Sequence, residues 1–145
     1  MAHYAKLGLD NIVTAVVAID TIDCMTRGGI EREDIGLAHL VKHHGHDLWK
    51  KCSYNTSSGV HRTGGTPFRA NYPGIGWYYN SEHDIFHPAR PYASYTLNTT
   101  TGMWDAPLAQ PELTDEQRDA GSYYRWDEDA YQADNTTGWV LETRD

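Results

Sequence analysis

Ile12-Val13-Thr14-Ala15-Val16-Val17-Ala18-Ile19 is the longest apolar stretch of the chain, and its reading decides the fold. It is far shorter than the ~20 residues that cross a bilayer as a helix. It is also rich in residues branched at Cβ, which pack well on a pleated surface and poorly in a helix. The stretch therefore predicts a buried β-strand. Upstream, His3 to Leu7 reads as a second strand, with Asp10-Asn11 as the turn between them, so the N-terminus is expected to be a β-hairpin. Arg27-Gly28-Gly29 breaks the pattern, and a helix is predicted from Arg32 to His44. On its wheel Leu37, Leu40, Val41 and His44 share one face, with Arg32, His39 and His43 opposite. Gly45 follows where a left-handed C-terminal cap belongs, and Trp49 to Tyr54 reads as a third strand with Trp49 turned inward.

Beyond Tyr54 the composition changes. Ser57-Ser58-Gly59 and Thr63-Gly64-Gly65-Thr66-Pro67 predict a flexible loop over residues 55–67. Three similar units follow. Tyr79-Asn80 with Ile85-Phe86 is the first, Leu97-Asn98 with Met103-Trp104 the second, and Tyr124-Arg125-Trp126 with Trp139 a looser third. Each sets aromatic or apolar flanks around a polar turn, as β-hairpins with cross-strand aromatic pairs do. Between the second and third, Thr114 to Gln117 has the spacing of a capping box, which predicts one helical turn ending near Gly121. The expected fold is α+β and β-rich, with an N-terminal hairpin and one helix followed by an array of aromatic hairpins. At 145 residues it is read as one domain: an α+β part over 1–54, the loop, and a hairpin part over 68–145.

Charge is unevenly placed. The chain carries −8, but residues 112–145 hold ten acids against Arg118, Arg125 and Arg144, which leaves −1 for the first 111 residues. Such a tail repels phosphates, so nucleic acid is not an expected partner. It is read as an outward, solvated end. The N-terminus Met1-Ala-His-Tyr-Ala-Lys lacks the basic and apolar regions of a secretion signal. Neither a membrane nor a disulfide framework is expected, since Cys24 and Cys52 are the chain's two cysteines.

The residues with chemical potential each have a plainer reading. His39 and His43, at i and i+4, with His46-Asp47 beyond, could face one metal ion, while the sequence alone gives no ground for a remote fourth ligand such as His83 or Asp84. Leu40 stands where a zinc-hydrolase helix carries glutamate, so a solvated helix face is the favoured reading. Glu31, Glu33 and Asp34 lie near a helix N-terminus, where acids complement the dipole. Asp127-Glu128-Asp129 reads as a solvated turn; calcium at Asp127, Asp129 and Asp134 would lack the glycine and terminal glutamate of an EF-hand loop. Cys24 and Cys52 read as small buried hydrophobes, and no serine stands in a nucleophile elbow. Asn55-Thr56-Ser57, Asn98-Thr99-Thr100 and Asn135-Thr136-Thr137 match the glycosylation sequon but read as turns. No catalytic, cofactor-binding or metal-binding residue is assigned. Tyr72, Trp77, Tyr78, Tyr79, Tyr92, Tyr95, Trp104, Tyr123, Trp126 and Trp139 are numerous for one small core, so some are expected at an interface.

Several blocks taken together resemble a known family. They are Met1-Ala-His-Tyr-Ala-Lys-Leu7, Ser53-Tyr54-Asn55, Phe68-Arg69-Ala70-Asn71-Tyr72-Pro73-Gly74-Ile75-Gly76-Trp77-Tyr78-Tyr79-Asn80, Pro91-Tyr92-Ala93-Ser94-Tyr95-Thr96-Leu97-Asn98, Trp104-Asp105-Ala106-Pro107 and Tyr124-Arg125-Trp126-Asp127-Glu128. Their order resembles that of small virion-associated proteins of marine tailed bacteriophages of the T4-like cyanophage type. The chain departs from that pattern between Thr56 and Pro67, where the family runs almost directly from Ser-Tyr-Asn into Phe-Arg. The resemblance implies a non-enzymatic virion component assembled in the host cytoplasm, with capsid or tail proteins as partners. A head decoration protein is the favoured expectation. A tail or fibre module whose Trp77 or Trp104 stacks on host glycans is the alternative, and a homo-oligomer is compatible with both.

Overall fold

A central three-stranded antiparallel sheet organises the first half of the chain. The computed structural model describes residues 1–46 and 48–144. Strand β1 (Ala2–Leu7) lies between β2 (Val13–Ile19) and β3 (Trp49–Cys52), with registers Tyr4↔Val17 and Tyr4↔Lys51. Asp10 and Asn11, both at positive φ, make the turn between β1 and β2. The apolar stretch expected to be the buried strand is thus an edge strand: Val13 and Ile19 are buried, while Thr14 and Ala18 are exposed. The more polar Ala2–Leu7 is the buried one because neighbours flank it on both sides and layers cover both its faces.

One layer is helix α1 (Glu33–His44). Ala2, Tyr4, Ile19, Cys24, Leu40 and Trp49 form the core beneath it, with Val17 and Leu37 at its margin. The buried stripe of α1 runs through Gly36 and Leu40, whereas Val41 and His44 are exposed. The inward face is therefore rotated by about one residue from the predicted one. Gly36 causes the shift, because a Cβ there would collide with the Tyr4 hydroxyl and ring. With that space open, Tyr4 is fully buried and its hydroxyl donates to Glu33 O at 3.1 Å. Gly45, at φ 68°, caps α1 as predicted, its amide donating to Val41 O.

The opposite face of the sheet is covered by a hairpin. Short strands β4 (Thr56–Ser57) and β5 (Val60–His61) come first in the chain, so part of the segment expected to be a loop is paired. Thr56 holds it: the side chain is buried and its hydroxyl accepts from the Phe68 amide. Strands β6 (Tyr78–Asn80) and β7 (Ile85–His87) then form the predicted first hairpin. Tyr79 and Phe86 pack on Ala5, Leu7, Val13 and Cys52, with Val16, Tyr72 and Trp77 alongside.

Strands β8 (Thr96–Asn98) and β9 (Met103–Asp105) make the second hairpin. The chain divides into two compact units, Met1–Ala89 with Leu97–Met103, and Arg90–Thr96 with Trp104–Asp145. In the second unit, the Thr114 to Gln117 capping box opens α2 (Asp115–Asp119), with both reciprocal bonds formed. Strands β10 (Ser122–Trp126) and β11 (Trp139–Thr143) pair antiparallel. Between them lies α3 (Glu128–Ala133), so the acidic connection is a helix and not a turn. Asp127 supplies its N-cap by accepting from the Ala130 amide. Trp126 is the buried centre, with Tyr95, Tyr131 and Trp139 rings 5.1–5.6 Å away. No helix among the described residues is long and apolar enough to cross a membrane.

The Gly36–Tyr4 approach is testable. Gly36→Ala should lower the unfolding free energy by about 1–3 kcal/mol through overpacking, read by urea denaturation against wild type. An unchanged midpoint would mean that the helix lies farther from Tyr4.

Candidate functional site

The densest polar constellation centres on Arg69. Its guanidinium donates from Nη1 to Glu33 Oε1 (2.6 Å) and to Lys51 O (2.8 Å), and from Nη2 to Glu33 Oε2 (3.1 Å). Its Nε donates to Asp84 Oδ1 at 2.8 Å, the oxygen that also accepts from the Tyr79 hydroxyl. The Arg69 side chain is only 10% exposed and lies over the Phe68 ring at 4.7 Å. Glu33 Oε1 further accepts from the Lys51 amide. The pair thus satisfies both outward backbone groups of Lys51, where an additional strand would otherwise bind.

The backbone bends sharply at this point, with Arg69 and Ala70 at φ 50° and 64°. Left-handed geometry costs roughly 1–2 kcal/mol at a residue bearing a Cβ. Bonds on both sides hold the bend: Phe86 N–H and Asn71 N–H donate to Arg69 O, and Gly59 N–H to Ala70 O. Asn71, 2% exposed, completes the knot. Its Nδ2 lies within 2.9–3.2 Å of the carbonyls of Phe86, Thr101 and Gly102, and its Oδ1 accepts from Ser58 N–H.

Electrostatics follow from these contacts. Burial pushes the Asp84 carboxyl up, but the Tyr79 hydrogen bond and the Arg69 charge outweigh it, leaving it below the ordinary range. Burial and the bond to Asp84 push the Tyr79 hydroxyl up to about 12. Burial works against the charge of Arg69, and Glu33 and Asp84 more than restore it. Burial likewise pushes the Cys52 thiol up to about 12, which leaves it protonated and unreactive at neutral pH. Beside the network lies a cavity of about 330 Å³ bordered by Met1, His3, Lys51, Cys52, Tyr54 and Phe68. Lys51 Nζ is held there by Glu31 at 2.8 Å.

The histidines do not converge as one site. His39 and His43 lie side by side on α1, ring centres 4.4 Å apart, with Asp23 4.0 Å from His39. His46 turns the other way: its Nε2 is 2.8 Å from Leu7 O and its ring meets the edge of Trp49. Asp47 lies outside the described residues. His83 sits in the β6–β7 turn, its amide donating to Asn80 Oδ1, and Asp84 is taken up by Arg69. Among the described residues, no three His, Cys, Asp or Glu side chains are arranged to hold a metal ion. Cys24 and Cys52 are free and buried. Of the acids near the start of α1, Glu31 and Glu33 bind Lys51 and Arg69, and Asp34 takes Arg32 in a two-pronged ion pair.

Asp127-Glu128-Asp129, read as a solvated turn, is instead structural. Glu128 accepts from Ser94 Oγ (2.6 Å), Ser94 N (3.1 Å), Trp126 Nε1 (2.9 Å) and Gln132 Nε2 (2.9 Å). The Ser94 hydroxyl and Trp126 indole, with Gln132 and the Ser94 amide, outweigh the opposing cost of desolvation and lower its pKa to about 2. Asp134 accepts from the Thr136 amide and hydroxyl. The surplus of exposed rings is also absent. Of the ten aromatics expected to exceed the core, Tyr92 at 40% is the exposed one, and Tyr54 is the other exposed ring among the described residues. Trp77 and Trp104 are partly covered.

No family model matches the chain, and neither does any curated protein or solved structure. What the Arg69 arrangement can do follows from its chemistry alone. Among the described residues every buried side-chain nitrogen and oxygen has a partner, and the Arg69 network fastens backbone segments together.

Arg69→Met should cost about 3 kcal/mol, since it strips the Glu33 carboxylate of its cation and leaves the Lys51 carbonyl unpaired. Arg69→Lys should recover only part, because an ammonium cannot span Glu33, Lys51 and Asp84 together. Denaturation of both variants reads the difference, and equal stability of the Arg69→Met variant and wild type would remove the network from its central place. The lowered pKa of Asp84 gives the sign of a pH effect. Its stabilisation is complete above the ordinary carboxyl pKa of about 4 and is lost as pH falls through the lower folded value. Melting temperature should therefore drop below about pH 4, less steeply in Asp84→Asn than in wild type.

Proposed function

We propose that the protein is a non-enzymatic structural component of a bacteriophage virion, a decoration or accessory protein seated on the head surface. The observation that carries this reading is where the family-like blocks lie in the fold. Arg69, Asn71, Tyr72, Trp77 and Tyr79, all within the longest such block, make the Arg69 and Asn71 knots and the cover of the central sheet. Residues used in this way transmit a shape, and a fixed shape is what repeated seating on a lattice requires. Rigid, short turns add to it: Asn98 Oδ1 accepts from the Thr100 and Thr101 amides at the β8–β9 tip, and Asp134 closes the turn before β11.

Quantitative mass spectrometry on purified virions, with heads and tails separated, tests the proposal. The protein should occur in the head fraction at a level comparable with the major capsid protein. A trace amount would overturn a decoration role, and confinement to tails would favour the receptor-binding alternative.

A further inference from the structure

After β5 the chain makes a tight turn over residues 62–65, inside the segment expected from sequence to be a flexible loop, and His61 holds it. The imidazole Nδ1 accepts from the Thr63 amide at 3.2 Å and from the Gly65 amide at 3.0 Å, with the Thr63 hydroxyl also 3.2 Å away. The Gly64 amide donates to His61 O. Among the described residues, every hydrogen bond made by residues 63–66 ends on His61. The turn also lies close against the ring, since a Cβ at Gly65 would stand 3.1 Å from three of its atoms.

These bonds require one state of the ring. A backbone amide only donates, so Nδ1 presents its lone pair and the proton of the neutral imidazole sits on Nε2. A protonated imidazole carries N–H at both nitrogens and would aim one of them at two amide N–H groups. His46 is the opposite case: its Nε2 lies 2.8 Å from the Leu7 carbonyl, which accepts from a neutral or a charged ring alike. Around His61, Thr56 across the ladder and Thr63 to Gly65 carry no charge. Arg62 is the neighbouring cation, its guanidinium over the Tyr54 ring at 5.1 Å. Among the described residues, the histidines that pair with a carboxylate are His39 and His83, not His61.

We propose that His61 is a proton-operated latch on this turn. While neutral, the ring supplies the acceptor that an asparagine side chain offers to the amide two residues on. As pH falls through the range in which histidines gain charge, about 8 to 5, the Thr63 and Gly65 amides lose that acceptor and residues 63–66 are released. The turn is therefore held at neutral pH and open in acid. The released stretch is bounded on both sides. Arg62 N–H stays on Asn55 O, and Phe68 N–H stays on the hydroxyl of the buried Thr56. Between those points Gly64, at φ 86°, and Gly65 give the backbone freedom to rearrange. The inference stands apart from the virion reading, since it follows from the turn alone.

The chain has eight histidines, so a global melt would mix several titrations and a residue-resolved readout is needed. NMR of the full chain, titrated from about pH 8 to about pH 5, supplies it. In wild type the Thr63 and Gly65 amide resonances should move together with those of the His61 ring. Their protection against hydrogen exchange should be lost on the acid side, while the Arg62 and Phe68 amides keep theirs. His61→Asn places an oxygen acceptor where Nδ1 stood and takes up no proton, so it should hold the turn across the whole range. His61→Phe keeps a ring but no acceptor and should leave both amides unprotected throughout. If a variant loses the Thr56–His61 pairing, the wild-type titration decides. Thr63 and Gly65 amides that stay unmoved while the His61 ring takes its proton would overturn the inference, as would an Asn variant that titrates like wild type.

Discussion

The first unit depends on one ion pair. Arg69 and Glu33 meet end to end, as a planar fork of donors and a carboxylate can, and both grip the backbone of Lys51. Through them the N-terminus of α1, the edge of β3, the 69–70 bend and the β6–β7 turn become one piece. An exposed ion pair contributes little to stability, but this one is largely removed from water and fully hydrogen-bonded. It also occupies a sheet edge without adding a strand. The same carboxylate that orients the helix start prevents another chain from joining at Lys51.

Much of the architecture was legible because it rests on local signals. The strands at His3–Leu7, Val13–Ile19 and Trp49–Cys52, the helix with Gly45 as its cap, the capping box at Thr114 and the three later strand pairs are all present. What escaped was the long-range part. Hydropathy ranked Ile12–Ile19 above Ala2–Leu7 as the buried strand, yet burial is decided by which strand has neighbours on both sides, and pairing order is not written locally. The helix face was misplaced by a residue because Gly36 has no side chain to register on a wheel, while its gap admits Tyr4 from another element. Arg69, Asn71 and Glu128 were missed as hubs for a related reason. Each has a partner 15 to 36 residues away in sequence, and a single Arg, Asn or Glu has no periodicity. The one available signal was the polar run Arg69-Ala70-Asn71 set among aromatics.

The acidic C-terminal segment also changes meaning in the structure. Asp127 caps α3, Glu128 fastens Ser94 and Trp126, Asp134 orders a turn, and Glu142 takes Arg125 and the Tyr123 hydroxyl. Negative charge that looked like a solvated surplus is in large part the means by which a short, aromatic unit satisfies its amides and indole. The aromatics behave alike: Trp126 is buried by its ring neighbours and anchored by a carboxylate, so its polar nitrogen is not stranded in the core.

The reach of Asn71 to the carbonyls of Thr101 and Gly102 bears on the order in which the protein forms during synthesis. The first unit is interrupted in sequence, taking residues 97–103 back after the chain has left it at Ala89. A nascent chain stopped at Ala89 holds the whole central sheet, yet leaves one side of Asn71 without acceptors. Asn71 therefore gains its Thr101 and Gly102 acceptors only once that segment has been made, by which time Arg90–Thr96 of the second unit has already been synthesised.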